Sequence, residues 1–327
     1  MAERNQTTHL YSLPNELRLM TSFIQLLVQI LTPFTTQTLL PLTSISHRFH
    51  AIVLRILHYR LLLAASLKEY KLILECYHPS SRLTDPHSFC TYLGTPGLSD
   101  EYEGKGSLYE DCETAERLGR LSAVYSRFRP EPSGEQSSRW PRNFLEPPSA
   151  REDEDAQESN GNTQRGETTD TQQFFKKQIS LDEFEGFSQL CTMVNLVKLA
   201  PNSTRLISAI NVEEGIIRVW RHWLKEHAGR KHGDISQETS KDDDGVLWVD
   251  NRENVGLKLR VKEKKWNRQA PVLIHEDEEM AVTYEVEIEE IRIRTTRLLL
   301  TVEQSLAEQQ NYSKAIIIGP VHVATII

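Results

Sequence analysis

The sequence predicts an α+β protein with a small helical module first and an antiparallel β-domain last. Two patterns carry this prediction. Residues 10–75 place Leu, Ile, Phe and Val three and four positions apart with no intervening glycine, which is the spacing of amphipathic helices. Residues 257–261 and 282–288 instead alternate apolar with charged or polar side chains, as strands do when one face is buried and the other is solvated.

The helical module is predicted to cover residues 11–60. Prolines stand at positions 14, 33 and 41, where helices could begin or end, and so divide the segment into three helices. Three helices in about 45 residues make too small a core to be stable alone. Their remaining apolar face must be buried on a partner, and we therefore interpret the segment as a docking module.

Two segments of different composition follow. Residues 61–130 form a helical and loop-rich connector, in which residues 114–125 are predicted to be helical because Leu118, Leu121 and Val124 share a face. Residues 131–178 are predicted to be a disordered acidic linker. Between positions 151 and 173 there is no aromatic residue and no aliphatic residue larger than Ala156, so the segment cannot offset its chain entropy by burying apolar surface.

Residues 180–327 are predicted to be the β-rich domain. Further strand candidates are residues 190–199, 215–223, 246–249, 298–302 and 315–323. The apolar phase breaks between Ile288 and Ile291, which calls for a bulge or bend at Glu289 and Glu290. Many strands at short intervals with few helices predict a β-sandwich or jelly-roll-like fold.

Composition excludes several classes of protein. The 327 residues carry a formal net charge of -8, which disfavours a nucleic-acid-binding protein whose affinity comes from basic residues. Only 39% of the residues are hydrophobic, and the four cysteines fit a reducing compartment better than a disulfide framework. The longest apolar stretch, residues 17–31, is too short to span a bilayer, so we expect no membrane partner and a cytoplasmic or nuclear location.

The most informative motif lies between residues 11 and 60. It opens with Leu13-Pro14-Asn15-Glu16-Leu17, continues with Leu27-Val28-Gln29-Ile30, and later places Leu39, Leu42, Ile45 and Phe49 at three- and four-residue steps. This order resembles the F-box, whose pattern runs Leu-Pro-x-Glu-Leu-Leu-x-x-Ile and then Leu-Leu-x-Leu-x-x-Val-Ser-x-x-Phe/Trp. Residues 125–130 and 217–224 are similar to segments of uncharacterised F-box proteins of filamentous fungi.

The resemblance implies a partner and a set of contact residues. F-boxes dock the Skp adaptor of a cullin–RING ubiquitin ligase, and the positions that match the motif are Leu13, Pro14, Leu17, Ile30, Leu39, Leu42, Ile45 and Phe49. The rival interpretation is that these helices are simply one half of a larger globular core.

The chain departs from the F-box pattern at one place. Nine extra residues, 18–26, stand between Leu17 and Leu27. If the helix is continuous, nine residues at about 100° each reverse its face and turn Leu13, Pro14 and Leu17 away from Ile30. The alternatives are an insert that loops out or a misassigned exon boundary.

No enzyme signature is present, and we expect no catalytic residue, cofactor or metal. There is no Gly-x-Ser-x-Gly elbow, His-Glu-x-x-His helix or phosphate loop. Cys76, His78, His87 and Cys90 could in principle bind zinc, but their spacing fits no common site.

Candidate residues for binding an unknown protein target are an aromatic pair, Trp220 and Trp223, and a basic row, Lys258, Arg260 and Lys262. The aromatic pair is either a binding wall or sandwich core. The basic row is either a solvated strand face or a recognition surface for an acidic or phosphorylated partner.

Two functional hypotheses follow. The first is a substrate-recognition subunit of an SCF-type ubiquitin ligase, which performs no bond chemistry and holds a target near the ubiquitin-charged enzyme. The second is a carbohydrate- or peptide-binding β-sandwich protein that acts outside a ubiquitin ligase.

Overall fold

The structure is a computed structural model that describes residues 15–81, 87–132, 175–200, 206–229, 245–264 and 281–312, with the backbone alone at residues 15–22 and 311–312. The chain forms two compact units. The first draws on Met1–Tyr70, Gly94–Ser126 and Ile293–Ile327, and the second on Lys71–Leu93 and Arg127–Arg292. Each unit is therefore assembled from stretches of chain that lie far apart in sequence.

The described residues contain six α-helices and nine strands. The helices are α1 (Asn15–Leu31), α2 (Thr36–Leu39), α3 (His47–Ala65), α4 (Arg117–Ser122), α5 (Arg221–Gly229) and α6 (Thr295–Tyr312), with short 3-10 helices at Leu40–Ser44 and Pro79–Ser81. The strands are β1 (Lys71–Tyr77), β2 (Ser88–Gly94), β3 (Tyr125–Pro130), β4 (Phe175–Leu181), β5 (Phe187–Leu199), β6 (Leu206–Trp220), β7 (Val246–Trp248), β8 (Val255–Lys264) and β9 (Val282–Arg294).

The first unit is a helical assembly around α3. One side of α1 supplies Leu27, Val28 and Leu31 to its core, and α3 supplies residues at three- and four-residue steps, as an amphipathic helix requires. The hydroxyl of Ser46 accepts a hydrogen bond of 3.3 Å from the backbone N–H of Phe49 and so caps the start of α3. Buried members of this core are Leu31, Leu39, Ile52, Val53, Leu54, Ile56, Leu57, Leu61, Ala64, Tyr109, Leu121 and Leu299.

The second unit is built on one large sheet that is nearly barrel-shaped. Its strand order is β6-β5-β1-β2-β3-β9-β8-β7, with β4 also paired to β9, and each pair with a described register is antiparallel. The two ends of this order approach each other, because a Cβ on Gly215 in β6 would lie 2.6 Å from the carbonyl oxygen of Val249. The side-chain amide of Asn254 also donates to Glu213 at 3.1 Å.

The sheet differs from the predicted β-sandwich or jelly roll, since its nine strands belong to one sheet and not to two stacked sheets. Alternation identifies a strand and its buried face, but it carries no information about which strands pair. The predicted strand at residues 190–199 is confirmed within β5, and those at 257–261 and 282–288 lie in β8 and β9. The burial phase of β9 shifts at Glu289 and Glu290, where a bulge or bend was predicted.

Other expected elements are wrong or shifted. The strand β1 begins at Lys71, inside the predicted helical stretch of residues 10–75, whereas residues 298–302, predicted as a strand, lie in α6. Both errors have one cause, because a short apolar run fits a buried strand and a buried helix turn equally well. The predicted helix at 114–125 is shorter, at Arg117–Ser122, and β4 begins within the expected linker of residues 131–178. Most of that linker and the strand candidate at 315–323 lie outside the described residues.

Candidate functional site

The structure places the eight predicted adaptor-binding residues in different environments. Leu13 and Pro14 lie outside the described residues, and Leu17 lies in α1 where only the backbone is described. Ile30 and Ile45 are 51% and 62% exposed. Leu39 is fully buried, and the half-buried Leu42 and Phe49 pack against the core of the first unit. The five residues whose side chains are described therefore do not form one docking face.

The local backbone explains this separation. Leu39 ends α2, the chain continues as the 3-10 helix Leu40–Ser44, and Ser46 begins a new helix as the cap of α3. Steps of three and four residues place side chains on one face only within a continuous α-helix. Ile45 lies at the junction between helices and faces solvent, whereas its sequence neighbours Leu42 and Phe49 face inwards.

The nine extra residues lengthen α1 and do not loop out. The helix is continuous from Asn15 to Leu31 and includes all of residues 18–26. In such a helix the thirteen steps from Leu17 to Ile30 place their Cβ atoms about 140° apart around the axis. The backbone position of Leu17 therefore lies on a different side of α1 from that of Ile30, as the continuous-helix alternative predicts.

A second apolar stripe runs along α1 beside the buried one. Phe23, Leu26 and Ile30 follow at three- and four-residue steps and are each at least half exposed. Among the described residues, seven of the fifteen exposed large apolar side chains lie between positions 23 and 45, and we call this set the N-terminal apolar surface: Phe23, Ile24, Leu26, Ile30, Phe34, Leu40 and Ile45. Such a concentration of exposed apolar residues is typical of an interaction site and not of scattered surface residues.

A groove of about 1040 Å³ opens beside Ile45 within the first unit. Its lining mixes polar and apolar surface and comes from residues 43–47 and His50 and from residues 112–115. The polar residues Thr43, Ser44, Ser46 and His47 line the same groove as the exposed Ile45. The apolar surface is therefore bordered by hydrogen-bonding groups, as the core of a protein interface is bordered by its polar rim.

A buried histidine holds the loop that forms the far side of this groove. The ring of His58 on α3 is fully buried, and its Nε2 lies 2.9 Å from the carbonyl oxygen of Ser99 while its Nδ1 lies 3.2 Å from the hydroxyl of Tyr109. Because a carbonyl only accepts, Nε2 carries the proton and Nδ1 accepts from Tyr109. Burial lowers the pKa of His58, against the opposing effects of the Ser99 hydrogen bond and the charge of Asp100.

The basic row on β8 is largely neutralised by carboxylates of β9. Lys262 lies 2.8 Å from Glu287, and Arg260 pairs with both Glu287 and Glu289. Lys176 on β4 adds a further contact of 3.2 Å to Glu287. Burial by itself raises the pKa of Glu287, but hydrogen bonds from Lys262 and Lys176 outweigh it, and the net pKa is lowered. This arrangement favours the solvated strand face, although Lys258 makes no ion pair within the described chain.

The two candidate tryptophans lie in different surroundings. Trp220 ends β6, is 44% exposed, and has its ring centroid 5.0 Å from that of Phe187. Trp223 lies on α5 and stacks on His227 with centroids 3.9 Å apart. Only Trp220 therefore belongs to an exposed aromatic pair. Phe187, which contacts Trp220, and Arg218, which lies over the Phe187 ring, were not predicted from the sequence, although the alternation of Ile216, Arg218 and Trp220 on one strand face was a signal for Arg218.

Cys76 and Cys90, two of the residues of the zinc alternative, lie too far apart to share one metal ion. Cys90 pairs with Leu72 in the register of β1 and β2, so Cys76 lies four residues, or about 13 Å, further along the sheet. The described ranges contain no cluster of three or more His, Cys, Asp or Glu side chains that could hold a metal ion. Likewise, none of the helices in the described part of the chain combines the length and apolar character that a bilayer crossing requires.

Comparisons of this chain with protein-family models, with curated proteins and with solved structures gave no significant match.

Proposed function

We propose that this protein is a substrate-recognition subunit of an SCF-type ubiquitin ligase, which acts in the cytoplasm or nucleus. Its N-terminal helices dock a Skp-type adaptor and through it a cullin–RING ligase, and its large sheet holds a protein target. On this account the chain performs no bond chemistry. It accelerates ubiquitin transfer by raising the effective concentration of target lysines near the charged enzyme.

One observation carries the proposal: the N-terminal apolar surface lies within the F-box-like segment, on the helices that would contact the adaptor. Ile30 and Ile45 match the F-box motif and are also exposed, so we assign them direct contact with the adaptor. We assign Leu39, Leu42 and Phe49 an internal role, because they pack in the core that holds these helices together.

The lengthened α1 changes which residues make the contact. Phe23 and Leu26 come from the nine extra residues and continue the exposed stripe of Ile30. On this account they take over the contact that the motif assigns to Leu13, Pro14 and Leu17, since Leu17 lies about 140° from Ile30 around the helix axis. On this account the variant F-box presents an apolar helix face built from Phe23, Leu26 and Ile30.

The test is affinity purification of the tagged full-length chain followed by mass spectrometry. We expect adaptor and cullin peptides with the parent chain, and their loss with Ile30→Asp together with Ile45→Asp. Leu63→Asp is the matched control, since Leu63 on α3 is 67% exposed and lies outside the N-terminal apolar surface. Absence of adaptor and cullin from the parent sample would contradict the proposal.

A second candidate is a carbohydrate- or peptide-binding protein that acts outside a ubiquitin ligase. The observation that favours it is the aromatic pair formed by the exposed Trp220 and the half-buried Phe187 on the sheet. Binding to a glycan array by a chain that recovers neither adaptor nor cullin would support this candidate over the first.

A further inference from the structure

The outer side of the β5–β6 hairpin carries an exposed surface of mixed aromatic, aliphatic and cationic character. Phe187 pairs directly with Trp220, and Cys191 pairs with Ile216, in the antiparallel register of these strands. Ile216 and Trp220 are 58% and 44% exposed, whereas Ile217 and Val219 between them are buried. We call Phe187, Ile216, Arg218 and Trp220 the β5–β6 platform.

Arg218 stands at the centre of this platform, between Ile216 and Trp220 on the same face of β6. Its guanidinium lies over the ring of Phe187 at 5.6 Å, and its register partner across the hairpin is the neutral Gln189. Arg218 makes no ion pair within the described chain, whereas Arg260 and Lys262 on β8 both do. The platform therefore offers one cation between two bulky apolar side chains, Ile216 and Trp220.

The platform is held rigidly before any ligand binds. The backbone N–H of Arg221 donates to the carbonyl of Gly186 at 2.8 Å, and its Nε donates to the carbonyl of Glu185 at 2.9 Å. A second guanidinium nitrogen donates to the carbonyl of Asp182. These bonds pin the turn that leads into Phe187 to the end of β6. A surface fixed in this way loses little conformational entropy on binding.

We infer that the β5–β6 platform is the target-binding surface, and that it recognises an acidic side chain flanked by bulky apolar residues in a peptide segment of the target. This inference rests on the proposed function. The carboxylate would pair with Arg218, and the flanking residues would cover Ile216 and Trp220. Trp and Arg are the residue types that most often dominate binding energy at interfaces, and a charge-assisted bond beside an aromatic ring is well suited to that role.

Nearby charges define where the acidic residue lies. Asp182, Glu183 and Glu185 surround the turn before Phe187, so a second acid placed at the Trp220 end would meet like charges. We therefore expect one acid, centred on Arg218, and neutral or basic residues towards the turn.

The experiment is a fluorescence-polarisation titration of the full-length chain against seven-residue peptides. Their central residue is glutamate, glutamine or lysine, and its neighbours are leucine and phenylalanine or, as a control, serine. We expect the glutamate-centred peptide with apolar neighbours to bind at least tenfold more tightly than the other peptides. Arg218→Glu should reverse the preference towards the lysine-centred peptide, and Trp220→Ala should weaken binding of every peptide.

Ile207→Ala is the matched control, because Ile207 lies on the same strand and is 47% exposed but lies far from Arg218. It should leave all affinities unchanged. An unaltered preference in Arg218→Glu, or equal binding of serine- and leucine-flanked peptides, would overturn the inference. Adaptor recovery by the Arg218→Glu chain reports on the proposed function separately, since that variant leaves the N-terminal apolar surface intact.

Discussion

Arg60 and Glu303 form an ion pair of 3.0 Å although 243 positions separate them in the sequence. The same carboxylate accepts hydrogen bonds from the backbone N–H and the hydroxyl of Thr36, at 2.9 and 2.7 Å, and thereby caps the start of α2. Arg60 also donates to the carbonyl of Thr32 at 2.7 Å. Through this network α6 fixes the turn between α1 and α2, which leads directly into the N-terminal apolar surface.

Glu303→Gln should therefore destabilise the first unit. The substitution removes the charge that Arg60 faces in a partly buried site and weakens the α2 cap, at a cost of about 2–3 kcal/mol in the free energy of unfolding. Urea denaturation followed by circular dichroism measures this change. Glu308→Gln, on the same helix, only weakens a hydrogen bond that Glu308 accepts from Gln304 at the surface, and it should change stability by less than about 0.5 kcal/mol.

His58 should make the stability of the protein pH-dependent. Because its pKa is lowered in the folded state, the unfolded chain takes up the proton first as the pH falls below about 6.5. The stabilisation is complete above that pH and is lost as the pH falls towards the folded-state pKa. Denaturation midpoints measured between pH 5 and pH 8 should therefore decrease as the pH falls below about 6.5.

The control is His58→Phe, which should be less stable than the parent at pH 8 and should show a reduced slope below pH 6.5. Some pH dependence of stability should remain in this variant, since burial also lowers the pKa of His87. A slope identical to that of the parent would mean that His58 is not the titrating group.

Glu287 should contribute a second pH dependence on the acid side. Its lowered pKa means that its stabilisation is present above the unfolded value of about 4.5 and is lost as the pH falls through the lower folded value. Glu287→Gln should cost about 1–3 kcal/mol at pH 7, discounted for the solvent exposure of Lys176 and Lys262. Its acid-unfolding curve should also be shallower below pH 4.5 than that of the parent.

Gly215 should tolerate no side chain. An added Cβ would meet the carbonyl oxygen of Val249 at 2.6 Å, and backbone cannot move aside as a flexible side chain can. Gly215→Ala should destabilise the sheet by about 1–3 kcal/mol, because the β6 end would be pushed away from the end formed by β7. Gly119→Ala in α4 is the control, since that Cβ would meet nothing within 4 Å, and it should be neutral or stabilising in thermal melts.

The sequence predicts the β-part of this fold well where strands are amphipathic. The sequences of β8 and β9 alternate apolar with charged or polar residues, and this period of two is visible without any partner, although Thr283 and Glu287 on the polar side of β9 are buried as well. β1 and α6 could not be assigned in this way. Leu72, Ile73 and Leu74 are all buried in a strand, and Leu298 and Leu299 are both buried in a helix, so neither run shows a period.

The candidate site shows the same limit at the level of single residues. Spacing alone placed Leu39, Leu42, Ile45 and Phe49 on one face, but a break between two helices sends Ile45 outwards and Leu39 into the core. Other features of the structure depend on contacts between residues that lie far apart in the sequence. The pairing of Phe187 with Trp220 depends on strand register, and the pairing of Arg60 with Glu303 depends on how distant segments meet. Neither is encoded in local periodicity.

Calorimetric titration of a purified Skp-type adaptor into the full-length chain tests the central claim most directly. The account predicts saturable one-to-one binding that Ile30→Asp with Ile45→Asp weakens at least tenfold, or about 1.4 kcal/mol, while Leu63→Asp leaves it unchanged. Circular dichroism of each variant confirms that the fold is retained. No binding by the parent chain, or equal affinity in the double variant, would contradict the assignment of this surface to an adaptor.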